Sequence, residues 1–321
     1  MSLEATHLHS QLWVVAVLNN PMRYKRRVEL FHQFIARMKV TGVNLCVVEL
    51  AYGDRAFETA DLDVPIKVQL RTDTVLWHKE NLINIGISRL PTDWKYVAWI
   101  DADIGFVRPD WVDETIHELQ HHDFVQLFED AVDLGPNYEI MNTAKGFGYC
   151  YVNDVPREDL GKSRDYYYYN AGQKGSYWHP GYAWAATREA IDTVGGLLEF
   201  AIVGAGDHHM ACSLIGEGGR SVSGGATTDY RTAVLQWEER ALRLHKNVSF
   251  IRGTIHHYWH GKKANRKYKE RWQILTDNNF KPSYDLHKDW QGVLAFHKGN
   301  VGLRNDIRTY FKGRNEDSID L

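Results

Sequence analysis

Short apolar runs alternate along this chain with segments whose apolar residues recur at helical spacing, and that alternation restricts the fold more than any single motif. Leu12-Trp-Val-Val-Ala-Val-Leu18 is continuously apolar and stops at Asn19-Asn-Pro21, as suits a strand buried on both faces. After it, Val28, Phe31, Phe34, Ile35 and Met38 fall on one face of a helix expected between Met22 and Met38. Val43–Leu50 and Ile66–Leu70 read as strands, and Leu76–Leu90 as a helix stopped by Pro91. Lys95–Ile100 is a strand rich in β-branched and aromatic residues, followed by a helix over Trp111–Gln120 and a strand over Phe124–Phe128. Such a rhythm predicts an α/β fold with a mostly parallel central sheet and helices on both faces.

The rhythm breaks between Glu129 and His179, a long stretch rich in Gly, Asn, Asp and Tyr that includes Arg164-Asp-Tyr-Tyr-Tyr-Tyr-Asn170. Its composition suits a functional loop, a lid or a hairpin excursion. Beyond it, Tyr182–Ala186 reads as a strand, Arg188–Val194, Asp207–Ile215 and Thr232–His245 as helices, and Val248–His257 as one further strand. The polar tail from Asn305 is expected to fray.

A net charge of −3 excludes a whole-molecule attraction to nucleic acid or anionic membrane, so any basic function must come from a local patch. Cys46, Cys150 and Cys212 are odd in number and widely spaced, forming neither a disulfide framework nor a metal-spaced pair. They suit a reducing, cytoplasmic setting. No apolar run nears the ~18 residues that span a bilayer, and the N-terminus lacks a signal-peptide pattern, so a soluble protein with no membrane partner is expected.

Three features carry chemistry. Asp101 and Asp103 stand at the end of the strand Lys95–Ile100, where open parallel sheets bind ligands. Residues two apart on an extended strand face the same way, so the pair can share a hard cation such as Mn²⁺ or Mg²⁺. A solvated turn or a helix cap is the plainer reading of the pair. Gly204-Ala-Gly-Asp-His-His209 presents Asp207 at a helix start, where it acts on a ligand or merely caps the helix. Ile255-His-His-Tyr-Trp-His260 ends a strand. Since His256 and His257 face opposite sides, one of them at most joins a metal, with His260 available through the turn. Lys262, Lys263 and Arg266 follow at once and suit the neutralisation of a diphosphate.

Together these segments resemble the GT-A-fold (Rossmann-like) glycosyltransferases, and among them the metal-dependent inverting β-1,4-galactosyltransferase-like branch. Val15–Lys25 is similar to that branch's first strand and Pro-x-Arg nucleotide loop, Lys79–Gly86 to its Asn-containing helix, and Asp101-Ala-Asp103 to its Asp-x-Asp motif. Gly181–Gly196 is similar to its Gly-rich strand, helix and turn, and the segment around Asp207 to its acidic cluster. Ile255–His257 resembles the segment supplying a later histidine ligand, although Thr254 stands where the branch carries a methionine.

The resemblance implies a catalytic domain over 1–275, with 129–179 as lid and acceptor region, and a C-terminal extension over 276–321 packed on the same domain. It implies transfer of a sugar from a nucleotide-diphosphate sugar, a UDP-sugar foremost, to an acceptor hydroxyl with inversion. Asp207 is then the base. Asp103 and His257 hold the metal, with Asp101 nearby and His260 as a further ligand. Asn19, Pro21, Arg23, Lys79, Asn81, Asp101, Lys262 and Lys263 serve the nucleotide. Trp178, Tyr182, Trp184 and His208 shape the sugar and acceptor pocket. The acceptor is a glycan, a small molecule or a modified nucleic-acid base. The rival readings are a nucleotidyltransferase acting on a sugar phosphate, which would release pyrophosphate, and a nucleic-acid-binding protein using the basic segment Gly261–Trp272.

Overall fold

The computed structural model describes residues 11–156, 178–297 and 299–320. The described residues form the strands β1 (Leu12–Asn19), β2 (Asn44–Tyr52), β3 (Ile66–Thr72), β4 (Tyr96–Ile100), β5 (Ile104–Phe106), β6 (Phe124–Gln126), β7 (Asp130–Leu134), β8 (Ile140–Gly146), β9 (Trp178–His179), β10 (Ala183–Thr187), β11 (Val248–Phe250), β12 (Thr254–His257), β13 (Leu286–Lys288) and β14 (Leu294–Phe296). The central sheet has the order β11-β6-β10-β4-β1-β2-β3. All its pairs are parallel except those of β10, which runs antiparallel to both β4 and β6.

Helices cover both faces of this sheet, as the sequence pattern requires. Alternate residues of β1 divide between two cores: Trp13 and Val15 pack with Leu82 and Ile83 of the helix Lys79–Ile87, while Val14 and Ala16 pack with Phe31 and Phe34 of the helix Lys25–Thr41. Both layers bury side chains completely, Phe31 and Leu82 among them.

A smaller sheet, β5-β12-β7-β8-β9, stands beside the central one and carries half of the site described below. It arises where the expected strand Val248–His257 divides. Gly253 has φ +128, a conformation L-residues rarely adopt, and there the chain leaves β11 in the large sheet for β12 in the small one. The expected loop region from Glu129 contains the hairpin β7–β8 and the helix Phe147–Val152. Its Arg164–Asn170 stretch lies outside the described residues.

The tail departs from expectation. Instead of fraying from Asn305, the chain forms a helix over Val301–Gly313 that buries Leu303, Ile307, Tyr310 and Phe311 at helical spacing. Residues 314–318 then run back over the start of the helix Lys25–Thr41, where Asp317 accepts from the backbone N–H groups of Lys25 (3.1 Å) and Arg26 (2.8 Å). A capping carboxylate for the first long helix thus comes from the far end of the chain. Among the described residues, no helix is long and apolar enough to cross a membrane.

Candidate active site and metal centre

A cavity of about 780 Å³ opens where β1 and β4 end, walled by the two sheets and by the segment after β12. The end of β4 decides its chemistry. Ile104 N–H donates to Asp101 O (3.2 Å), so the chain turns at once and enters β5 in the other sheet. Strand alternation therefore stops at Asp101, and Asp101 and Asp103 join different groups of side chains rather than one shared target.

Asp103 joins histidines. Its Oδ2 lies 2.8 Å from His260 Nε2 and 3.8 Å from His257 Nε2, and the two Nε2 atoms are 3.2 Å apart. One ligand atom from each of the three residues fits within a 4.8 Å span. His257 Nδ1 is held by Asp133 Oδ1 at 2.9 Å, which places the ring proton on that side and leaves the Nε2 lone pair toward Asp103. Burial, set against the neighbouring Asp103 and Asp133, pulls the His257 imidazole down to about 4, so the ring is neutral at pH 7. Asp133 is itself kept ionised: burial opposes this, but His257 and Lys263 outweigh it.

This donor set fits a divalent cation. A carboxylate and two imidazole nitrogens suit Mn²⁺, and the buried Asp103 Oδ1 has no hydrogen-bond partner. The guanidinium of Arg266 stands 2.7 Å from His260 Nε2, so a positive group already sits against this acceptor-rich cluster.

Asp101 joins a different group. It pairs with Lys79 Nζ at 2.7 Å, while burial raises its carboxyl above the ordinary range. Asp207 lies in the first turn of the helix Gly206–Leu214, on the same cavity wall, and its Oδ1 accepts from His208 N–H (2.8 Å). Burial opposes its ionisation, yet Lys79, His179 and the His208 N–H more than compensate and leave its carboxyl below the usual range. Gly181 makes room for it, since a Cβ there would stand 2.5 Å from Asp207 Oδ2. Glu80 completes this wall: burial pushes its carboxyl up to about 7.

Backbone strain gathers here. Tyr182 (φ +78) and Ala205 (φ +84) are non-glycine residues in the left-handed region. The Tyr182 ring stacks between His179 (centroids 4.0 Å) and His257 (4.8 Å), and its hydroxyl donates to Asp133 Oδ1 at 2.9 Å. It thus helps to hold the histidine–carboxylate pair.

Several expected residues stand elsewhere. Arg23 is exposed in a φ +61 turn, Pro21 is buried, and neither lines the cavity; Arg27, one helical turn further on, does. Asn81 is 1% exposed and serves as a clamp, donating to Glu199 Oε2 and Gly292 O and accepting from Leu294 N–H. Trp184 is a core residue whose ring N–H donates to Pro180 O (2.8 Å), and Trp178 packs edge-on against Phe147. Neither tryptophan is among the described residues that wall the cavity, whereas Trp77, Tyr182, Trp259 and Tyr268 are. Asn19, Lys79, Asp101, Lys262, Lys263 and His208 do line it. Thr254, at the start of β12, is not in the Asp103–His257–His260 cluster.

Asp133, Glu80 and Glu316 escaped the sequence reading. Asp133 shares the buried face of β7 with Ala131, but nothing local marks it as the partner of a histidine 124 positions away. Glu316, 2% exposed, is ion-paired with Arg27 and Arg314 and sits in the tail expected to fray.

No protein-family profile and no curated protein matches the sequence. Among solved structures, the chain is similar to Drosophila β-1,4-galactosyltransferase 7 in complex with manganese, UDP-Gal and xylobiose, at 11% identity and TM-score 0.40, over 92% of this chain and 98% of that one. It is also similar to a putative nucleotide-diphospho-sugar transferase from Desulfovibrio desulfuricans, at 10% identity and TM-score 0.33, covering 95% and 98% of the two chains. A third is 4-diphosphocytidyl-2C-methyl-D-erythritol synthase from Anaerococcus prevotii, at 12% identity and TM-score 0.32, covering 76% and 90%. Likeness this remote leaves the chemistry to be read from the side chains themselves.

Proposed function

We propose that this protein is a metal-dependent GT-A-type glycosyltransferase that moves a sugar from a nucleotide-diphosphate sugar, foremost a UDP-sugar, to an acceptor hydroxyl with inversion. One observation carries the reading. A three-residue cation site with an unsatisfied buried carboxylate oxygen and an ionised, lysine-supported carboxylate face the same large cavity.

Asp103, His257 and His260 would hold the cation, which when bound supplies Lewis-acid neutralisation of a diphosphate leaving group. Around them Lys262, Lys263, Arg266 and Arg27 make the surroundings of that diphosphate positive. Asp207 serves as general base. Its ionised state at neutral pH lets it take the proton of the attacking hydroxyl, and Lys79 stabilises that charge until the acceptor arrives. Asp101 is a positioning residue, fixing the Lys79 ammonium between the carboxylates. Rings of Trp77, Tyr182, Trp259 and Tyr268 offer flat apolar surfaces to sugars or a base.

A screen of nucleotide sugars with Mn²⁺ or Mg²⁺, water serving as the slow acceptor, tests this. Metal-dependent release of a nucleoside diphosphate is expected. Release of pyrophosphate from a nucleoside triphosphate and a sugar phosphate, with no nucleotide-sugar cleavage, would instead establish a nucleotidyltransferase.

A further inference from the structure

The two histidines of the cation site share one plan, with a hydrogen bond behind His257 and a longer ion-pair contact behind His260. Each turns Nε2 toward Asp103 and Nδ1 toward a second carboxylate. For His257 that carboxylate is Asp133, at 2.9 Å; for His260 it is Glu316, whose Oε2 lies 3.8 Å from Nδ1. Glu316 is 2% exposed and is held from two sides by Arg27 (Nε to Oε2, 2.8 Å) and Arg314 (Nε to Oε1, 2.6 Å).

Its segment is fixed to both walls of the site. Asp317 caps the helix Lys25–Thr41, Asn315 N–H donates to Tyr24 Oη (3.0 Å), and Trp259 Nε1 donates to Ser318 O (2.7 Å). Trp259 is the residue before His260, and its own carbonyl accepts from Arg26 Nε at 3.0 Å. The C-terminal segment therefore joins the chain after β1 to the chain that carries His260.

We propose that Glu316 is a positioning residue for the cation site, orienting His260 from Nδ1 as Asp133 orients His257, so that residues 314–318 form part of the metal centre. The inference rests on the metal-dependent reading above. A cation at Nε2 makes the opposite N–H a stronger donor, and the facing carboxylate then sets the ring's orientation and basicity. Partners of this kind are worth about 10–100-fold in metal affinity.

The test is Mn²⁺ binding, followed by electron paramagnetic resonance of the free ion, with the absorption spectrum of the Co²⁺ form as a second readout. Glu316→Gln should weaken Mn²⁺ binding by about 10–100-fold and alter the Co²⁺ spectrum. Asp317→Asn, which loosens the same segment without facing His260, should stay within about twofold, the range of an ordinary surface change. Should Glu316→Gln fail to fold, Glu316→Asp keeps the charge for Arg27 and Arg314 while drawing the carboxylate back by one methylene. It should lose Mn²⁺ affinity at an unchanged melting temperature. Equal weakening by Asp317→Asn and Glu316→Gln would overturn the inference, since loosening of the tail would then suffice. Tight wild-type binding left unchanged in Glu316→Gln would overturn this inference alone. A wild-type protein that binds no Mn²⁺ would overturn the metal-dependent reading as well.

Discussion

Two groups of charged side chains face each other across the cavity, and one Asp-Ala-Asp segment supplies a carboxylate to each. On the Asp103 side the acids are matched with imidazoles, that of His257 neutral, and a buried carboxylate oxygen has no partner. On the Asp101 side a half-buried lysine lies among Asp101, Asp207 and Glu80, and their charges hold its ammonium well above its usual range despite desolvation. In the first group Arg266 and Lys263 reach His260 and Asp133 but leave Asp103 Oδ1 without a partner, whereas in the second Lys79 pairs with Asp101 directly. Two acids of one short segment thus acquire different surroundings from the partners that the fold brings to them, histidines for Asp103 and a lysine for Asp101.

The largest effect that separates the two sides is expected from Asp207→Asn. Asparagine keeps the size and can still cap a helix, but it cannot accept the proton. The turnover number should fall by ~10²–10⁴-fold while Mn²⁺ affinity stays unchanged, as steady-state kinetics beside a metal titration will show. Gly181→Ala strikes the same side without removing any functional group, because the new Cβ would crowd Asp207 Oδ2 at 2.5 Å. A small displacement of the base should lower turnover by about 10²-fold, again with normal Mn²⁺ binding. Loss of metal affinity in either variant would merge the two groups into one.

A smaller effect appears in stability. Glu80 has a folded pKa of about 7 against an ordinary 4.5, raised mainly by burial. Between those values the folded protein retains a proton that the unfolded chain has released, so this group's contribution to stability falls as pH rises through the window. Glu80→Gln removes that dependence. Thermal melts from pH 4 to 8 should show the variant gaining on wild type across the window and melting about 2–4 °C higher at pH 8. A constant difference between the two proteins over this range would show that Glu80 titrates normally.

The smallest effect is predicted for Arg23→Ala. This arginine is exposed and does not line the cavity, so the donor KM should move by less than about twofold. A large rise in KM would return Arg23 to the nucleotide site.

What the sequence disclosed divides along physical lines. The large sheet was legible because β1, β2 and β4 are buried on both faces and read as apolar runs, with amphipathic helices between the strands. Asp103, His257 and His260 were legible because each sits at a strand end or the turn after it. Period-two alternation misled at Asp101, since it holds only while the strand continues, and this one ends at Ile100. Aromatic type misled at Trp184: one indole looks like another in sequence, and only the tertiary structure separates core from cavity wall. The helix Val301–Gly313 carried a readable pattern in Leu303, Ile307, Tyr310 and Phe311, hidden by the charged residues between them. Asp133 and Glu316 had no local signal, because the histidines they face lie more than fifty positions away.

The most direct measurement is calorimetric titration of UDP into wild type and Asp103→Ala, each with and without Mn²⁺. Asp103 ends in a turn at the cavity wall, so its loss should leave the circular dichroism spectrum unchanged. Mn²⁺ should strengthen UDP binding to wild type by more than tenfold, about 1.4 kcal/mol, and should have no effect on the variant. Equal Mn²⁺-dependent strengthening in both proteins would contradict a cation site built on Asp103, His257 and His260.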